Sequence, residues 1–202
     1  MKKPKVLVVG AGPVGLTLAI ECCRHGVPVR IVDHSPSHST QSKALAIWSG
    51  TLECFAAMGV AEEFLKVALP IRHFVFADHG KVLNDIPSNR GIDSAYPLPV
   101  ILPQSHTEEI LERRLEALGV TVERGVELTS FSQDEQKVTV ALLKTDGSRE
   151  QLEVAYLAGC DGARSVVRHG LGLSFEGETE ALGFVLIDAK VEGPLREDAM
   201  FV

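Results

Sequence analysis

The fold is decided by residues 6–21, which read VLVVGAGPVGLTLAIE. The first four residues are a continuous run of valine and leucine, typical of a strand that is buried on both faces of a parallel sheet. Glycines and a proline follow at once, and the pattern predicts a helix over residues 13–25 and a second strand over residues 29–33. The segment is therefore predicted to be a right-handed βαβ unit whose two strands are parallel.

The glycines of this unit have the spacing of a dinucleotide-binding turn. Gly10 permits the tight turn from strand to helix, Gly12 lets a pyrophosphate approach the backbone, and Gly15 allows the helix to pack closely on the strand. Pro13 suits the first helical position, and the free N–H groups of the helix N-terminus favour phosphates. Asp33 ends the second strand, 18 residues after Gly15, where a carboxylate can accept hydrogen bonds from ribose hydroxyls. The alternative is a structural turn beside a solvated aspartate.

The acid at Asp33 also narrows the choice of nucleotide. A carboxylate would repel a 2′-phosphate, so NADP is disfavoured in this cleft. NAD and FAD both present a free ribose hydroxyl, and the glycine motif does not separate them.

Composition limits the class of protein. The chain has 202 residues, 45% of them hydrophobic and 23% charged, which is typical of a globular protein of one large or two small domains. Disorder and a disulfide-dense miniprotein are excluded. With a formal charge of −7, the chain lacks the broad positive potential that nucleic-acid binding needs, so no nucleic-acid partner is expected.

The N-terminus and the cysteines indicate a cytoplasmic protein. Three lysines precede the apolar residues 6–20, but that stretch is shorter than the roughly 20 residues of a membrane span, and Glu21 spoils a signal cleavage site. The four cysteines form no Cys-x-x-Cys pair, and His34 and His38 have no third ligand near them in the sequence. Reduced thiols, solvated histidines and no metal site are therefore expected.

The rest of the chain is predicted to alternate helices and strands. Ser105 to Glu108 form a capping-box pattern at the start of a helix, and Glu108, Glu109 and Glu112 are interpreted as a solvated face of that helix. Period-two alternation over residues 125–157 predicts a three-stranded antiparallel meander, packed over the first helices. The remaining predictions are helices at 51–58 and 60–69, a hairpin of 73–77 with 81–83, irregular chain or edge strand over 84–103, and strands at 121–123 and 182–191.

A second candidate site follows the meander at residues 156–168, which read YLAGCDGARSVVR. Asp161 and Gly162 make a sharp turn, and Arg164, Ser165 and Arg168 place hydrogen-bond donors near a phosphate-binding cleft. From the residues alone, an ordinary Asp-Gly turn with a solvated basic helix start remains the alternative.

This segment closely resembles the Asp-Gly motif of flavoprotein monooxygenases of the aromatic hydroxylase type, in which it also follows a glycine βαβ unit and a meander. Lys43, before a Thr-Leu-Glu helix, stands where that family usually has an arginine near the flavin. Gln104 resembles the glutamine that touches the ribityl region, and His34 stands where an arginine often follows the acid of the second strand. The resemblance implies that FAD is bound by Gly10, Gly12, Pro13, Gly15, Asp33, His34, Lys43, Gln104, Asp161 and Arg164.

The activity that the resemblance implies is hydroxylation of an aromatic or related small organic substrate, with NADH or NADPH and O₂ as co-substrates. The fold that it implies is α/β, a Rossmann-like FAD-binding fold with a parallel sheet, an antiparallel meander and the start of a second domain. The FAD-binding domain is expected at residues 1–70 and 103–179, a substrate-side excursion at 71–102 and the start of the substrate domain at 180–202.

One motif of the family is missing, since no Gly-Asp dipeptide occurs in the chain. The chain is therefore expected to be the N-terminal part of a longer enzyme and to be inactive alone. No catalytic side chain is assigned, and a homo-oligomer is left open. The alternatives are a halogenase, epoxidase or saturase with the same motifs, a non-catalytic nucleotide-binding module, and an NAD-dependent dehydrogenase, against which the Asp161 segment argues.

Overall fold

A computed structural model describes residues 3–38, 44–178, 189, 192–193 and 196–201. Within these residues the helices are α1 (Pro13–Arg24), α2 (Ser49–Met58), α3 (Ala61–Val67), α4 (Gln104–Ala117) and α5 (Val166–Gly170). The strands are β1 (Val6–Val9), β2 (Val29–Asp33), β3 (Ala46–Ile47), β4 (Leu69–Pro70), β5 (His73–Asp78), β6 (Lys81–Pro87), β7 (Val100–Ile101), β8 (Glu123–Arg124), β9 (Val126–Gln133), β10 (Val138–Lys144), β11 (Arg149–Val154), β12 (Tyr156–Gly159) and β13 (Ala199–Phe201).

Contacts divide the chain into two units. The first unit contains residues 1–40 and 108–182, and the second contains residues 41–107 and 183–202. No helix among the described residues is both long enough and apolar enough to cross a membrane.

The first unit contains the parallel sheet that the sequence predicts, with strand order β12-β1-β2-β8. Val9 pairs with Val32 on one side and with Gly159 on the other, so β1 and β12, which lead into the two candidate site segments, are adjacent strands. Helix α1 packs against β1 and β2 and buries Leu16 and Ile20 completely. The α/β fold and the βαβ unit are thereby confirmed.

The antiparallel meander β9-β10-β11 is also present, with turns where the sequence predicts them. Its predicted position was wrong. Leu7, Val9 and Val32 of the parallel sheet form one buried cluster with meander residues such as Val140 and Leu142, and that cluster holds no residue of α1. The meander therefore packs against the sheet and not over the first helices, because each parallel strand must be covered on both faces and α1 covers only one.

Two further differences concern β12 and α4. The chain leaves the meander at Ala155, so Tyr156 begins a strand of the parallel sheet instead of extending β11. Helix α4 begins at Gln104, and the carbonyl of Pro103 accepts hydrogen bonds from the N–H groups at 106 and 107. Ser105 therefore lies inside the helix, and the predicted capping box is wrong.

The solvated acidic face predicted for α4 is wrong for two of its three residues, since only Glu109 of the three is largely exposed. Glu108 is buried. The side chain of Glu112 is only 12% exposed, with Oε2 at 2.6 Å from Arg124 Nη2 and 3.2 Å from His38 Nε2. Glu112 therefore ties α4 to the loop after β2 and to β8, and neither Glu112 nor His38 is simply solvated.

The second unit is built from two small sheets, β13-β5-β6 and β3-β7-β4, and from helices α2 and α3. Phe55 and Phe64 stack between the two helices at 4.2 Å between ring centroids. The predicted hairpin is confirmed and extends through Asn84 to Pro87, so residues 84–103, predicted to be irregular or an edge strand, contain the end of β6 and β7. Of the strand predicted over 182–191, only Ala189 is among the described residues.

Candidate functional site

The glycine turn between β1 and α1 is too tight for side chains at two of its three glycines. Gly10 has φ of 102°, and a Cβ there would overlap the backbone carbonyl of Cys160. A Cβ on Gly15 would fall on the carbonyl oxygen of Gly10. These two glycines therefore bring β1, α1 and the end of β12 into backbone contact.

Gly12 differs from the other two, because a Cβ at this position would meet no atom of the described residues within 4 Å. Gly12 is the N-cap of α1, no side chain of the described part of the chain caps the helix, and Pro13 occupies the first turn. The first-turn amides are thus left to a ligand or to water, and the first turn contains no acidic residue. The open space at Gly12 in front of an uncapped helix N-terminus suits a phosphate group.

Asp33 holds the turn in place. Its Oδ2 accepts a hydrogen bond of 2.6 Å from the N–H of Ala11, and its Oδ1 accepts one of 2.8 Å from the N–H of Ser35. The side chain is 13% exposed. Each carboxylate oxygen keeps a further lone pair, so Asp33 can support the turn and still accept a hydrogen bond from a ligand.

The Asp161 turn has a similar arrangement at the end of β12. Asp161 Oδ2 accepts a hydrogen bond of 2.6 Å from the N–H of Val166, and Ser165 Oγ accepts one of 2.9 Å from the N–H of Arg168. The other oxygen of Asp161, Oδ1, is buried and has no hydrogen-bond partner among the described residues. Because an unsatisfied buried acceptor is costly, this oxygen suits a hydroxyl donor from a ligand.

These turns border one cleft of ≈ 420 Å³ within the first unit. That volume lies in the range of roughly 300–1,000 Å³ typical of small-molecule sites. The cleft is lined by Val9, Gly10, His34, Val126, Glu127, Leu128, Asp161, Ala163, Arg164 and Val166.

The charges around the cleft are mixed. His34 and Arg164 are exposed, and they stand beside the carboxylates of Asp33 and Asp161. Burial, and then the neighbouring carboxylate of Asp161, raise the pKa of the Cys160 thiol. Cys160 therefore stays protonated near neutral pH and is not an activated nucleophile.

The structure brings together most of the residues predicted to bind the cofactor. Gly10, His34, Asp161 and Arg164 line the cleft, while Asp33 precedes His34 in the chain and accepts a hydrogen bond from Ala11 of the glycine turn. Gly12, Pro13 and Gly15 belong to the turn and first helical residues beside it. Two predicted residues are not placed there: Gln104 begins α4 in the second unit, and Lys43 lies outside the described residues.

Sequence reasoning missed the contribution of β9. Val126, Glu127 and Leu128 line the cleft, and β9 is an edge strand of its sheet. The alternation of apolar and polar residues here indicates a strand. It does not indicate that this strand lines a cleft together with residues of the parallel sheet. The described residues also contain no group of three or more His, Cys, Asp or Glu side chains that could hold a metal ion.

Comparisons with known proteins agree with this geometry. Residues 3–201 match the family model described as "FAD binding domain". The chain is 44% identical to 6-methylpretetramide 4-monooxygenase of Streptomyces rimosus over 87% of its own length and 31% of that protein. It is 36% identical to 12-dehydrotetracycline 5-monooxygenase/anhydrotetracycline 6-monooxygenase of the same species, over 92% of its length and 36% of that protein.

Among solved structures, p-nitrophenol 4-monooxygenase PnpA from Pseudomonas putida DLL-E4 superposes with a TM-score of 0.83 at 27% identity, covering 89% of this chain and 46% of that one. The chain spans about a third of the length of the two curated relatives above. The family match covers nearly all of the chain and confirms the resemblance found in the sequence. The chain therefore belongs to the FAD binding domain family, among the flavoprotein monooxygenases of the aromatic hydroxylase type, and its cofactor is FAD.

Proposed function

We propose that this chain forms the FAD-binding part of a monooxygenase that hydroxylates an aromatic substrate with NADH or NADPH and O₂. The observation that carries the proposal is a pair of features in the two turns that border the cleft: the space in front of Gly12 and the uncapped α1, and the buried Oδ1 of Asp161, which has no partner among the described residues. The monooxygenase names of the similar proteins support the reaction class.

The pyrophosphate of FAD is proposed to lie at Gly12. The uncapped amides of α1 would donate to the phosphate oxygens, and the helix dipole favours their negative charge. Gly10 and Gly15 contribute indirectly, because they allow the backbone contact that sets the position of the turn. Pro13 fixes the first helical residue without an N–H that would need a partner.

The adenosine part is proposed to occupy the cleft between the Asp161 turn and β9. Asp33 and Asp161 Oδ1 would accept hydrogen bonds from ribose hydroxyls, and the edge of β9 at residues 126–128 would offer backbone groups to the adenine. His34 and Arg164 are proposed to flank the phosphates as cations or donors. Lys43 and Gln104 remain proposals for the flavin side of the cofactor, carried by the resemblance alone.

FAD, when bound, would supply the redox chemistry that links NAD(P)H and O₂ to hydroxylation of the substrate. The chain's own residues bind and orient the cofactor, and the protonated Cys160 adds no competing nucleophile beside it. We assign no general base to the described residues. A cytoplasmic location, a homo-oligomer and the four domain ranges given above also stay predictions.

The proposal is tested on the polypeptide that carries this chain, purified with FAD. We expect a flavin absorption spectrum, and NADH or NADPH oxidation whose rate rises with a phenolic substrate and matches formation of hydroxylated product. A Gly12→Val variant should fold but lose the flavin. Flavin binding without any substrate-linked oxidation would favour a non-catalytic nucleotide-binding module, and folded Gly12→Val protein with normal flavin content would contradict the cofactor site.

A further inference from the structure

The loop that follows β2 is held at two points by the junction between β8 and β9. The loop begins with His34, which lines the cleft described above. One residue further on, the carbonyl of Ser35 accepts a hydrogen bond of 3.2 Å from the N–H of Gly125. At the other point, Nδ1 of His38 lies 3.1 Å from Nη2 of Arg124. The place of His34 in the cleft therefore depends on two consecutive residues of that junction.

Glu112 of α4 fixes the second of these two points. Its Oε2 lies 2.6 Å from Nη2 of Arg124 and 3.2 Å from Nε2 of His38, so one carboxylate oxygen contacts both partners. The side chains of Glu112 and Arg124 are only 12% and 16% exposed. Because a charge pair that is largely shielded from water interacts more strongly than an exposed one, this pair keeps the guanidinium oriented toward the loop.

The contacts of His38 require an uncharged imidazole. Glu112 of α4 and Arg124 of β8 are the charged side chains in contact with it in the described part of the chain. A guanidinium has only donors, so Nδ1 of His38 must accept from Arg124, and the ring proton is then on Nε2, beside the carboxylate. A second proton would place a ring N–H against an N–H of Arg124, and one positive charge against another. The contact with Arg124 would then be lost.

Order in this loop reaches the cofactor site through Asp33. The N–H of Ser35 donates to Oδ1 of Asp33 at 2.8 Å, and the N–H of Ala11 in the glycine turn donates to Oδ2 of the same carboxylate. A loop that is already ordered adds little ordering cost when a ligand binds. Contacts that hold the loop at His38 therefore favour binding at Asp33 and His34.

We infer that Glu112, Arg124 and His38 form a positioning network for the adenosine part of FAD, and that the network keeps the loop after β2 in place only while His38 is uncharged. The inference rests on the proposed function, because it assigns a role at that cofactor site. The three side chains are not among those that line the cleft, so they act through the loop and not as direct ligands.

The first test measures the Kd of FAD for the polypeptide that carries this chain, after removal of its flavin, at about pH 8 and about pH 5.5, a range in which imidazoles ordinarily change charge. The variant is His38→Gln, because a glutamine oxygen can accept from Arg124 and its NH₂ group can donate to Glu112, but the amide does not titrate. At the higher pH its Kd should lie within about threefold of the parent value. On acidification the Kd should rise at least about threefold more in the parent than in His38→Gln, since one hydrogen bond changes an equilibrium constant by about two- to tenfold.

His25→Gln is the matched control. Nε2 of His25 also lies near a glutamate, at 3.6 Å from Oε2 of Glu21, but this pair is at the C-terminal end of α1. His25→Gln should therefore keep the pH dependence of the parent. His34 is present in all three proteins, so its own titration affects their Kd values equally. An equal rise of the Kd in the parent and in His38→Gln, or equal effects of the two histidine variants, would overturn the inference.

Replacement of Glu112 tests the network from its other end. Glu112→Ala should raise the Kd of FAD at the higher pH by at least about threefold. Glu109→Ala, which removes an exposed ion pair with Arg113 on the same helix, should leave the Kd within about twofold. Unchanged affinity in Glu112→Ala would contradict the network.

Folding and flavin binding are measured separately, so that the possible failures can be told apart. Urea unfolding at both pH values shows whether each protein is folded under the conditions of the titration. The comparison with His38→Gln decides the inference even where Glu112→Ala does not fold. A folded parent protein that binds no FAD contradicts the proposed function, whereas FAD binding with the same pH dependence before and after His38→Gln contradicts the network alone.

Discussion

The carboxylate of Asp33 accepts a hydrogen bond from the backbone N–H of Ala11, with 2.6 Å between Oδ2 and N. This contact joins the carboxyl end of β2 to the middle of the glycine turn. The residue predicted to bind ribose therefore also fixes the turn predicted to bind the pyrophosphate, so a change at Asp33 is expected to affect both.

Replacing Asp33 by alanine should weaken FAD binding by about 1–3 kcal/mol, the cost of losing a charged hydrogen-bond partner. Asp33→Asn keeps one side-chain oxygen to accept the hydrogen bond from the Ala11 N–H, so its loss of FAD affinity should be smaller. Titration with FAD, monitored by flavin fluorescence, measures the effect. Asp146→Ala is the matched control, because Asp146 accepts a similar hydrogen bond of 2.8 Å from the N–H of Ser148 in a meander turn. Unchanged affinity in Asp33→Ala would show that other groups hold the ribose.

Gly12 and Gly15 should respond differently to a side chain. Gly15→Ala places a methyl group on the carbonyl of Gly10, so we expect a loss of several kcal/mol in the free energy of unfolding. Gly12→Ala extends into open space and should change that free energy by about 1 kcal/mol or less. It should nevertheless weaken FAD binding, because the methyl group occupies the space proposed for the pyrophosphate.

Chemical denaturation and flavin content, measured on both variants, separate the two effects. A stable Gly15→Ala protein would contradict the tight contact described for the turn. A Gly12→Ala protein with full FAD affinity would place the pyrophosphate elsewhere.

The sequence predicts the βαβ unit well because its determinants are local. The run from Val6 to Val9, the glycines and Asp33 each act within a few residues, and steric limits leave few alternative structures. The partner of the meander is not local information. Alternation at Val138, Val140 and Leu142 shows which side chains are buried but not which surface covers them.

The same limit explains the errors on α4. The pattern from Ser105 to Glu108 is the same whether Ser105 precedes the helix as its cap or lies within its first turn. The hydrogen bonds accepted by the carbonyl of Pro103 show that the helix begins before Ser105. Its position in the helical periodicity places Glu112 on the polar side of α4, yet Arg124 of β8 forms an ion pair with it. Charged residues that find partners far along the chain cannot be recognised from helical periodicity.

Arg30 provides a long-range link of this kind. Its guanidinium donates to both oxygens of Glu123 of β8 and to both oxygens of Glu150 of β11, at 2.6–2.9 Å, and the side chain is 16% exposed. Arg30→Met should destabilise the protein by about 2–3 kcal/mol, since it removes the guanidinium shared by two carboxylates and leaves Glu150 with its longer contact of 3.4 Å to Lys144. Thermal and urea unfolding measure the change. Lys137→Met removes an exposed pair with Glu153 and should cost much less. Equal costs would contradict a structural role for Arg30.

The Arg30 link also predicts a pH dependence. The hydrogen bonds from Arg30 hold the pKa of Glu150 below its usual value of 4.5. A carboxyl whose pKa is lowered by folding stabilises the folded state above its unfolded pKa, and that stabilisation is lost as pH falls through the folded pKa. Urea unfolding should therefore show the contribution of this pair intact at pH 6 and declining below about pH 4.5. In Arg30→Met this decline should be smaller, and an identical acid profile in both proteins would contradict the assignment.

Asp161 offers the sharpest separation of binding from folding. Its Oδ2 accepts a hydrogen bond from the N–H of Val166, the first residue of α5, while the buried Oδ1 has no partner among the described residues. Asp161→Asn can keep the first contact through its amide oxygen but places a donor where a ribose hydroxyl needs an acceptor. We expect the free energy of unfolding of this variant to lie within about 1 kcal/mol of the parent value. Its FAD affinity should be lower by at least about tenfold, since a charged hydrogen bond contributes about 1.5–3 kcal/mol. Asp134→Asn, in a meander turn with hydrogen bonds to the N–H groups of Gln136 and Lys137, is the control. Full FAD affinity in Asp161→Asn would mean that the buried oxygen is not part of the cofactor site.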